Sequence, residues 1–194
     1  MSRRRGRYAD RPESVHLDRV WELNPHGEMK LVIPSPTDAA KIDREWPPKR
    51  SSHHLNVGWR WAPLLARSPE RFALKRGDGG EIAGLWCSGK GVVELPAGRH
   101  YRLDYLEVNP EFRAGAGGSE VSLLLMAVVA ARARELEAEG IVLETYEALV
   151  QWYENLGGIR GAVAGWTNPN KLVPFRFGPD ATRRLAEMTD GEKE

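Results

Sequence analysis

The segment that most constrains the fold is a strand, a glycine-dense loop and a long apolar helix in direct succession. The strand is predicted over Tyr101–Val108, the loop opens on Arg113, and the helix is predicted over Ser119–Glu139. The first half of this helix is apolar nearly all round, which indicates burial on most sides. A strand, a glycine loop and a helix N-terminus together bind phosphate groups on backbone N–H donors. The sequence therefore predicts a site for a phosphorylated cofactor.

Two common nucleotide-binding patterns do not occur in this loop. The dinucleotide fingerprint requires G-x-G-x-x-G, but Gly115, Gly117 and Gly118 have a different spacing, and no acidic residue follows in the ribose position. The P-loop requires Gly-Lys-Ser/Thr, which does not follow either. The loop therefore indicates another kind of phosphorylated cofactor.

The same segment resembles motif A of the GNAT superfamily of N-acetyltransferases. In that motif a strand ending L-x-V-x-P is followed, two residues later, by Arg/Gln-x-x-Gly-x-Gly/Ala. Leu106 and Val108 match the strand end, and Arg113 holds the Arg/Gln position. Ala116 stands at the first motif glycine and Gly118 at the second.

A second segment, residues 148–158, resembles GNAT motif B, usually A-x-x-h-Y-x-x-x-G-F with h apolar. Tyr153 falls on the tyrosine that protonates the departing coenzyme A thiolate in many GNAT enzymes. Tyr146 stands where an Asn often caps this helix, and Gly158 replaces the usual Phe. The resemblance covers roughly residues 30–188.

The resemblance implies an α/β (α+β) fold with a mixed central sheet, mostly antiparallel, flanked by helices. The predicted elements follow the GNAT order with one added C-terminal helix. The predicted strands are Lys30–Ile33, Arg71–Arg76, Glu81–Cys87, His100–Val108, Ile141–Glu144, Ile159–Ala164 and Leu172–Phe177. The predicted helices are one capped by Thr37 and stopped at Pro47, then Gly58–Ala66, Ser119–Glu139 with Gly140 as its left-handed cap, Ala148–Leu156 and Pro179–Met188.

The predicted domain organisation is a partly flexible N-terminal extension over residues 1–28 and a GNAT-like acetyltransferase domain over residues 29–190. A chain of 194 residues is long enough to bury a core in one domain. Its single cysteine, Cys87, sits in an apolar run, so we expect a buried thiol and no internal disulfide. The N-terminus lacks the apolar region of a signal peptide and no apolar run is long enough for a membrane span, so we expect a cytoplasmic protein.

The resemblance implies transfer of an acetyl group from acetyl-CoA to an amine by direct attack on the thioester. Leu106 and Val108 would pair with the pantetheine amides and polarise the thioester carbonyl, and Tyr153 would protonate the thiolate. Asp104 and Glu107 lie near the strand end and are candidate general bases, with solvated charges or a salt bridge as the alternative. The cofactor cradle would consist of Arg113, Ala114, Gly115, Ala116, Gly117, Gly118 and Ser119, and no metal is required.

The sequence does not decide whether the acceptor amine belongs to a small molecule or to a protein. It does not decide the oligomeric state either, and a homodimer is one of the alternatives. The formal net charge of +1 does not favour nucleic acid, but Arg3–Arg7 is a local basic run that either contacts nucleic acid or is a solvated terminus. Aromatic and basic residues around Trp46, Trp59 and Trp61 either line the acceptor site or pack in the core. Two further functions stay as alternatives: a non-catalytic acyl-CoA-binding module, and an acyltransferase acting on a nucleic-acid-linked amine such as aminoacyl-tRNA.

Overall fold

The computed structural model describes residues 29–49, 58–76, 80–113, 116–161 and 172–189, with the backbone alone over residues 116–119. The expectations for residues 1–28, for Ala114 and Gly115, and for the last three residues of the strand predicted over Ile159–Ala164 lie outside the described residues.

The described strands form two sheets, and one continuous stretch of chain supplies a strand to each of them. The first is an antiparallel four-stranded sheet in the order β1 (Met29–Val32), β2 (Glu70–Arg76), β3 (Ile82–Ser88) and β6 (Tyr105–Val108). The second has five strands in the order β4 (Val92–Leu95), β5 (Gly98–Leu103), β7 (Gly140–Thr145), β9 (Val173–Phe177) and β8 (Ile159–Arg160). Its β5–β7 pair is parallel and the other pairs are antiparallel.

Helices pack against both sheets. They are α1 (Pro36–Glu45), α2 (Trp61–Arg67), α3 (Ala116–Glu135), α4 (Val150–Asn155) and α5 (Pro179–Glu187). Short 3₁₀ helices occur at Pro47–Lys49, Pro110–Phe112 and Glu147–Leu149. The predicted fold class, a mixed and mostly antiparallel sheet arrangement flanked by helices, is confirmed.

Two hydrophobic cores hold the layers together. The main core joins the sheets to α3, α4 and α5, and α3 is buried from Val121 to Ala133 on most sides, as its apolar sequence predicts. The smaller core joins α1 and α2 to the first sheet through side chains such as Ile42, Leu65 and Cys87. Cys87 is buried, which confirms the expectation for this thiol.

Several predicted boundaries are wrong. The N-cap of α1 is Ser35, which forms a reciprocal capping box with Asp38, and Thr37 lies inside the helix. Helix α3 begins at Ala116 and ends at Glu135, earlier than predicted at both ends.

Gly140 is the first residue of β7 and does not cap α3; the left-handed residue after the helix is Glu137, with φ 55°. A Cβ at Gly140 would lie 2.2 Å from the Phe177 carbonyl oxygen, so close strand packing is what requires glycine there.

The strand predictions also miss a break and an edge strand. The predicted strand over residues 100–108 is divided at Asp104 into β5 and β6. The edge strand Val92–Leu95 was not predicted, because it is short and only half buried. Among the described residues, no helix has both the length and the hydrophobicity needed to cross a bilayer.

Candidate active site

Two parallel strands separate at their carboxyl ends and leave a gap in the sheet. β5 pairs with β7 from His100–Gly140 to Leu103–Leu143. After Asp104 the chain continues as β6, which pairs with β3 and forms the edge of the other sheet, while the last two residues of β7 pair only with β9. We call this gap the β6–β7 opening. The carboxyl ends of parallel strands are where α/β folds bind ligands.

Asp104 lies at the break that creates the opening. Its Oδ2 accepts a hydrogen bond from the Gly89 N–H (2.7 Å), its Oδ1 pairs with Arg102, and its own N–H donates to the Cys87 carbonyl (3.2 Å). Both carboxylate oxygens of this predicted base therefore have donors within the protein. These contacts hold the turn after β3 against the point where the chain changes sheets.

The edge of β6 that faces the opening carries backbone groups of alternate residues. Asn109 N–H donates to the Ala83 carbonyl (2.9 Å), which fixes the hydrogen-bonding parity of the β6–β3 pair. Glu107 and Tyr105 therefore bond to β3, and the backbone groups of Leu106 and Val108 turn toward the opening. The two residues predicted to contact pantetheine thus lie at this edge, with backbone groups of the kind that pairing requires.

Asn109 turns the chain from β6 toward α3. Its buried side chain donates to Glu81 Oε1 and to the Ile82 carbonyl (both 3.0 Å), and its Oδ1 accepts from the Glu111 N–H (3.0 Å). The sequence does not predict this role of Asn109, because its partners Glu81 and Ile82 are distant in the chain. This side chain therefore fixes where the segment after β6 leaves the sheet.

The glycine-dense segment is partly helical. Ala116, Gly117, Gly118 and Ser119 form the first turn of α3, where a loop was predicted. The first N–H groups of a helix have no acceptor inside the helix, and the helix dipole places partial positive charge there. This turn can therefore bind phosphate oxygens by the mechanism that the sequence suggested.

Arg113 contributes differently from expectation. Its backbone N–H donates to the Pro110 carbonyl (3.2 Å) in the preceding 3₁₀ turn, so that amide already has an acceptor. Its guanidinium turns back toward β6, donating to the Val108 carbonyl (3.0 Å) and to Glu107 Oε1 (3.2 Å). The side chain therefore supports the edge of β6.

Glu107, the second predicted base, is 1% exposed. Its Oε2 accepts a hydrogen bond from the indole Nε1–H of Trp61 (2.6 Å), and its Oε1 accepts from Arg113. The sequence left Glu107 open between a general base and a solvated or salt-bridged charge, and the structure shows its carboxylate in a buried ion pair.

Tyr153 projects from α4 into the main core beside the end of β7. Its ring packs on Phe175 (5.7 Å between centroids) and Phe177 (6.2 Å), and its hydroxyl interacts with the Thr145 side chain. Burial raises the pKa of Tyr153 above its ordinary value, and the phenol is protonated at neutral pH. Thr145 ends β7, which brings this hydroxyl to the β7 side of the opening.

The aromatic residues on the α1–α2 side divide into two groups. Trp46 and Trp61 are buried in the smaller core, so they pack and do not face an acceptor. Trp59 is half-buried and meets Tyr105 edge-on, with ring centroids 5.1 Å apart. Tyr105 is also half-buried and is the first residue of β6, so this pair lies close to the opening.

The predicted site residues therefore fall into two sets. Leu106, Val108 and the first turn of α3 border the opening from one side, and Tyr153 approaches it from the β7 side. Asp104 and Glu107 are engaged in contacts that hold the surrounding segments. Among the described residues, no group of three or more His, Cys, Asp or Glu side chains forms a metal site.

Comparison with known proteins identifies the fold. No protein-family model and no curated protein matches the sequence. Among solved structures, a GNAT-family acetyltransferase from Listeria monocytogenes is 15% identical, with 77% of this chain and 94% of that chain covered and a TM-score of 0.52. The KacTA–DNA complex is 14% identical, with 81% of this chain and 98% of that chain covered and a TM-score of 0.52. The AtaTR complex bound with acetyl-CoA is 15% identical, with 81% of this chain and 96% of that chain covered and a TM-score of 0.50. The chain thus has the fold of the GNAT acetyltransferases.

Proposed function

We propose that this protein is an N-acetyltransferase that transfers the acetyl group of acetyl-CoA to an amine. The observation that carries the proposal is the β6–β7 opening, which is bordered by an edge of β6 that no described strand pairs with and has the first turn of α3 beside it. A strand edge suits the amides of pantetheine, and a helix N-terminus suits a pyrophosphate. The AtaTR neighbour with bound acetyl-CoA supports the choice of cofactor.

In the proposed reaction the amine nitrogen attacks the thioester carbonyl carbon directly. A C–N bond forms, the carbonyl oxygen takes negative charge, and the C–S bond then breaks. Backbone N–H groups of Leu106 or Val108 at the edge of β6 would stabilise that oxygen. Tyr153 would give its phenolic proton to the departing thiolate and regain a proton from solvent, and the amine would lose its extra proton to water.

Asp104 and Glu107 are less suited to accept the amine proton than their positions in the sequence suggest. Both oxygens of each carboxylate already accept hydrogen bonds within the protein, and Glu107 is buried. We therefore assign the removal of the amine proton to water. The acceptor, a small molecule or a protein, would approach past Trp59 and Tyr105.

Calorimetry with acetyl-CoA, together with a turnover assay on a panel of amines, tests this function. The proposal requires that acetyl-CoA binds at the protein concentrations used for calorimetry. It also requires that free coenzyme A is released only when an amine is present. Binding without turnover on any amine would favour the alternative, a non-catalytic acyl-CoA-binding module of the same fold. Absence of binding would exclude both.

A second candidate is an acyltransferase that acts on a nucleic-acid-linked amine such as aminoacyl-tRNA. The feature that favours it is the run of four arginines within the first seven residues. Phosphate contacts make affinity fall steeply with salt. A tRNA affinity that is lost between low and physiological salt and depends on this run would support the candidate.

A further inference from the structure

The buried carboxylate of Glu107 joins β6 to the start of α2, which is distant in the chain, and to the segment just ahead of α3. Its two oxygens accept hydrogen bonds from Trp61 at the start of α2 and from Arg113 ahead of α3, at 2.6 Å and 3.2 Å. A buried carboxylate is stable only when it is paired and hydrogen-bonded, and both donors satisfy that need. Glu107 therefore depends on, and holds, these two partners.

Arg113 is fixed through several contacts at once. Its backbone N–H bonds to the Pro110 carbonyl, and its guanidinium bonds both to Glu107 and to the Val108 carbonyl. The Val108 carbonyl faces the β6–β7 opening, and its bond to the Arg113 guanidinium places that side chain at the end of β6. Helix α3 begins three residues later, at Ala116.

We propose that Glu107 is a positioning residue that acts through Arg113. The pair fixes the entry to α3 against the edge of β6, and thereby sets the spacing between the pantetheine-binding edge and the phosphate-binding turn. Acetyl-CoA must span both, so the pair sets the affinity for acetyl-CoA. This inference rests on the proposed function of the opening.

The positioning role differs from general base catalysis in what it affects. A positioning residue changes cofactor affinity and the order of the first turn of α3, whereas a base changes kcat and the acidic limb of its pH profile. A purely structural ion pair changes only the melting temperature. The three roles therefore predict three separate results.

The test compares Glu107→Gln and Arg113→Met with a matched control, Glu70→Gln. Glu70 also pairs with an arginine, Arg132 on α3, through bonds of 2.9 and 3.0 Å, and it lies outside the site. Calorimetry measures the Kd for acetyl-CoA, and hydrogen exchange measures the backbone amides of residues 117–119. Each variant's kcat is measured against pH with saturating acetyl-CoA.

We expect both site variants to raise the Kd for acetyl-CoA about 10- to 100-fold, the equivalent of one charge-assisted hydrogen bond. We also expect faster exchange at residues 117–119 and an unchanged pH profile. Both variants break the same link between Glu107 and Arg113. The double variant, Glu107→Gln with Arg113→Met, should therefore raise the Kd no further than the single variant with the higher Kd. Glu70→Gln should leave Kd and exchange as in the wild type.

Trp61→Phe removes the indole donor to Glu107 together with some buried volume, and keeps an aromatic ring in the smaller core. This variant should raise the Kd and speed the exchange less than Glu107→Gln does. It tests the proposal if Glu107→Gln folds poorly. Unchanged Kd and exchange in the folded site variants would overturn the positioning role. A fall in kcat with loss of the acidic limb at unchanged Kd would overturn it in favour of a base. Wild-type protein that binds no acetyl-CoA would instead overturn the proposed function.

Discussion

The buried hydroxyl of Tyr153 interacts with the side chain of Thr145, the last residue of β7. Tyr153 belongs to α4, so this contact joins the helix of the second GNAT-like motif to a strand that borders the β6–β7 opening. Thr145 is itself buried, and burial raises the pKa of Tyr153. A phenol is protonated at neutral pH with or without this shift, and the raised pKa makes it a weaker acid, so it is the position of Tyr153 beside the opening that supports the role of proton donor to a thiolate.

Replacement of Tyr153 by Phe should remove the proposed proton donor while keeping the ring in the core. We expect kcat to fall about 10²–10⁴-fold, because a lost general acid typically costs that much. KM for acetyl-CoA should stay unchanged, since the hydroxyl acts on charge that develops only as the thiolate leaves. Steady-state kinetics on an identified amine, with chemistry shown to be rate-limiting, measure both constants. Turnover at the wild-type rate would assign the proton to water or another residue.

Replacement of Thr145 by Val should leave the Tyr153 hydroxyl without its partner at nearly constant side-chain volume. A buried hydroxyl that loses its partner costs about 1–3 kcal/mol, so the free energy of unfolding should fall by that amount. We expect a loss in kcat of up to about 10²-fold, the cost of misplacing a reacting group. Thr145→Ser keeps the hydroxyl and is the matched control. Equal kcat values in the two variants would mean that Thr145 does not orient Tyr153.

Replacement of both Gly117 and Gly118 by Val should abolish acetyl-CoA binding, because branched side chains in the first turn of α3 would keep phosphate oxygens from the backbone. Helical geometry tolerates valine at a cost of less than about 1 kcal/mol per residue, so circular dichroism should report an intact fold. Calorimetry measures the binding. The double alanine variant is the control, since it also removes both glycines but adds far less volume. Wild-type affinity in the folded valine variant would argue against phosphate binding at this turn.

Stability should fall in alkali partly through Cys87. Burial raises the pKa of its thiol from 9.0 to about 11. A raised pKa means that the folded protein favours the protonated thiol, so this contribution is complete below pH 9 and is lost as pH rises toward about 11. Relative to Cys87→Ala, the wild type should lose about 2–3 kcal/mol of unfolding free energy over this range. Urea titrations of both proteins measure the difference, and parallel pH curves would show that the thiol is not shifted.

Deletion of residues 1–7 should leave the melting temperature and the acetylation of a small amine unaltered, because we expect this basic run to lie outside the catalytic machinery. The deletion should matter only if the acceptor is attached to nucleic acid, where it would lower affinity and weaken the salt dependence. Kinetics on a small amine and on a charged tRNA distinguish the two. A large loss on the small amine would show that the run belongs to the site.

The parts of the fold that the sequence predicts are those with local signals. The apolar helix α3, the helix α5 that opens on Pro179 and the hairpin partners β2 and β3 follow from periodicity and turn residues. The start of α3 was missed because Gly117 and Gly118 are typical of loops, although a helix N-terminus tolerates them.

The remaining features depend on contacts between distant residues, which local patterns do not encode. The break at Asp104 arises because one stretch of chain changes its strand partner from β7 to β3. The hydrogen bond between Trp61 and Glu107 joins residues 46 positions apart, so this partner of Glu107 could not be predicted from spacing. Tyr153 was identified through the resemblance to motif B, whereas its contact with Thr145 depends on how the helix packs.

A crystal structure of the protein grown with acetyl-CoA would show directly whether the β6–β7 opening binds the cofactor. We expect pantetheine density along the edge of β6 at Leu106 and Val108, the pyrophosphate at the first turn of α3, and the thioester sulfur within reach of the Tyr153 hydroxyl. Coenzyme A bound elsewhere, or an opening that stays empty at saturating acetyl-CoA, would contradict this expectation.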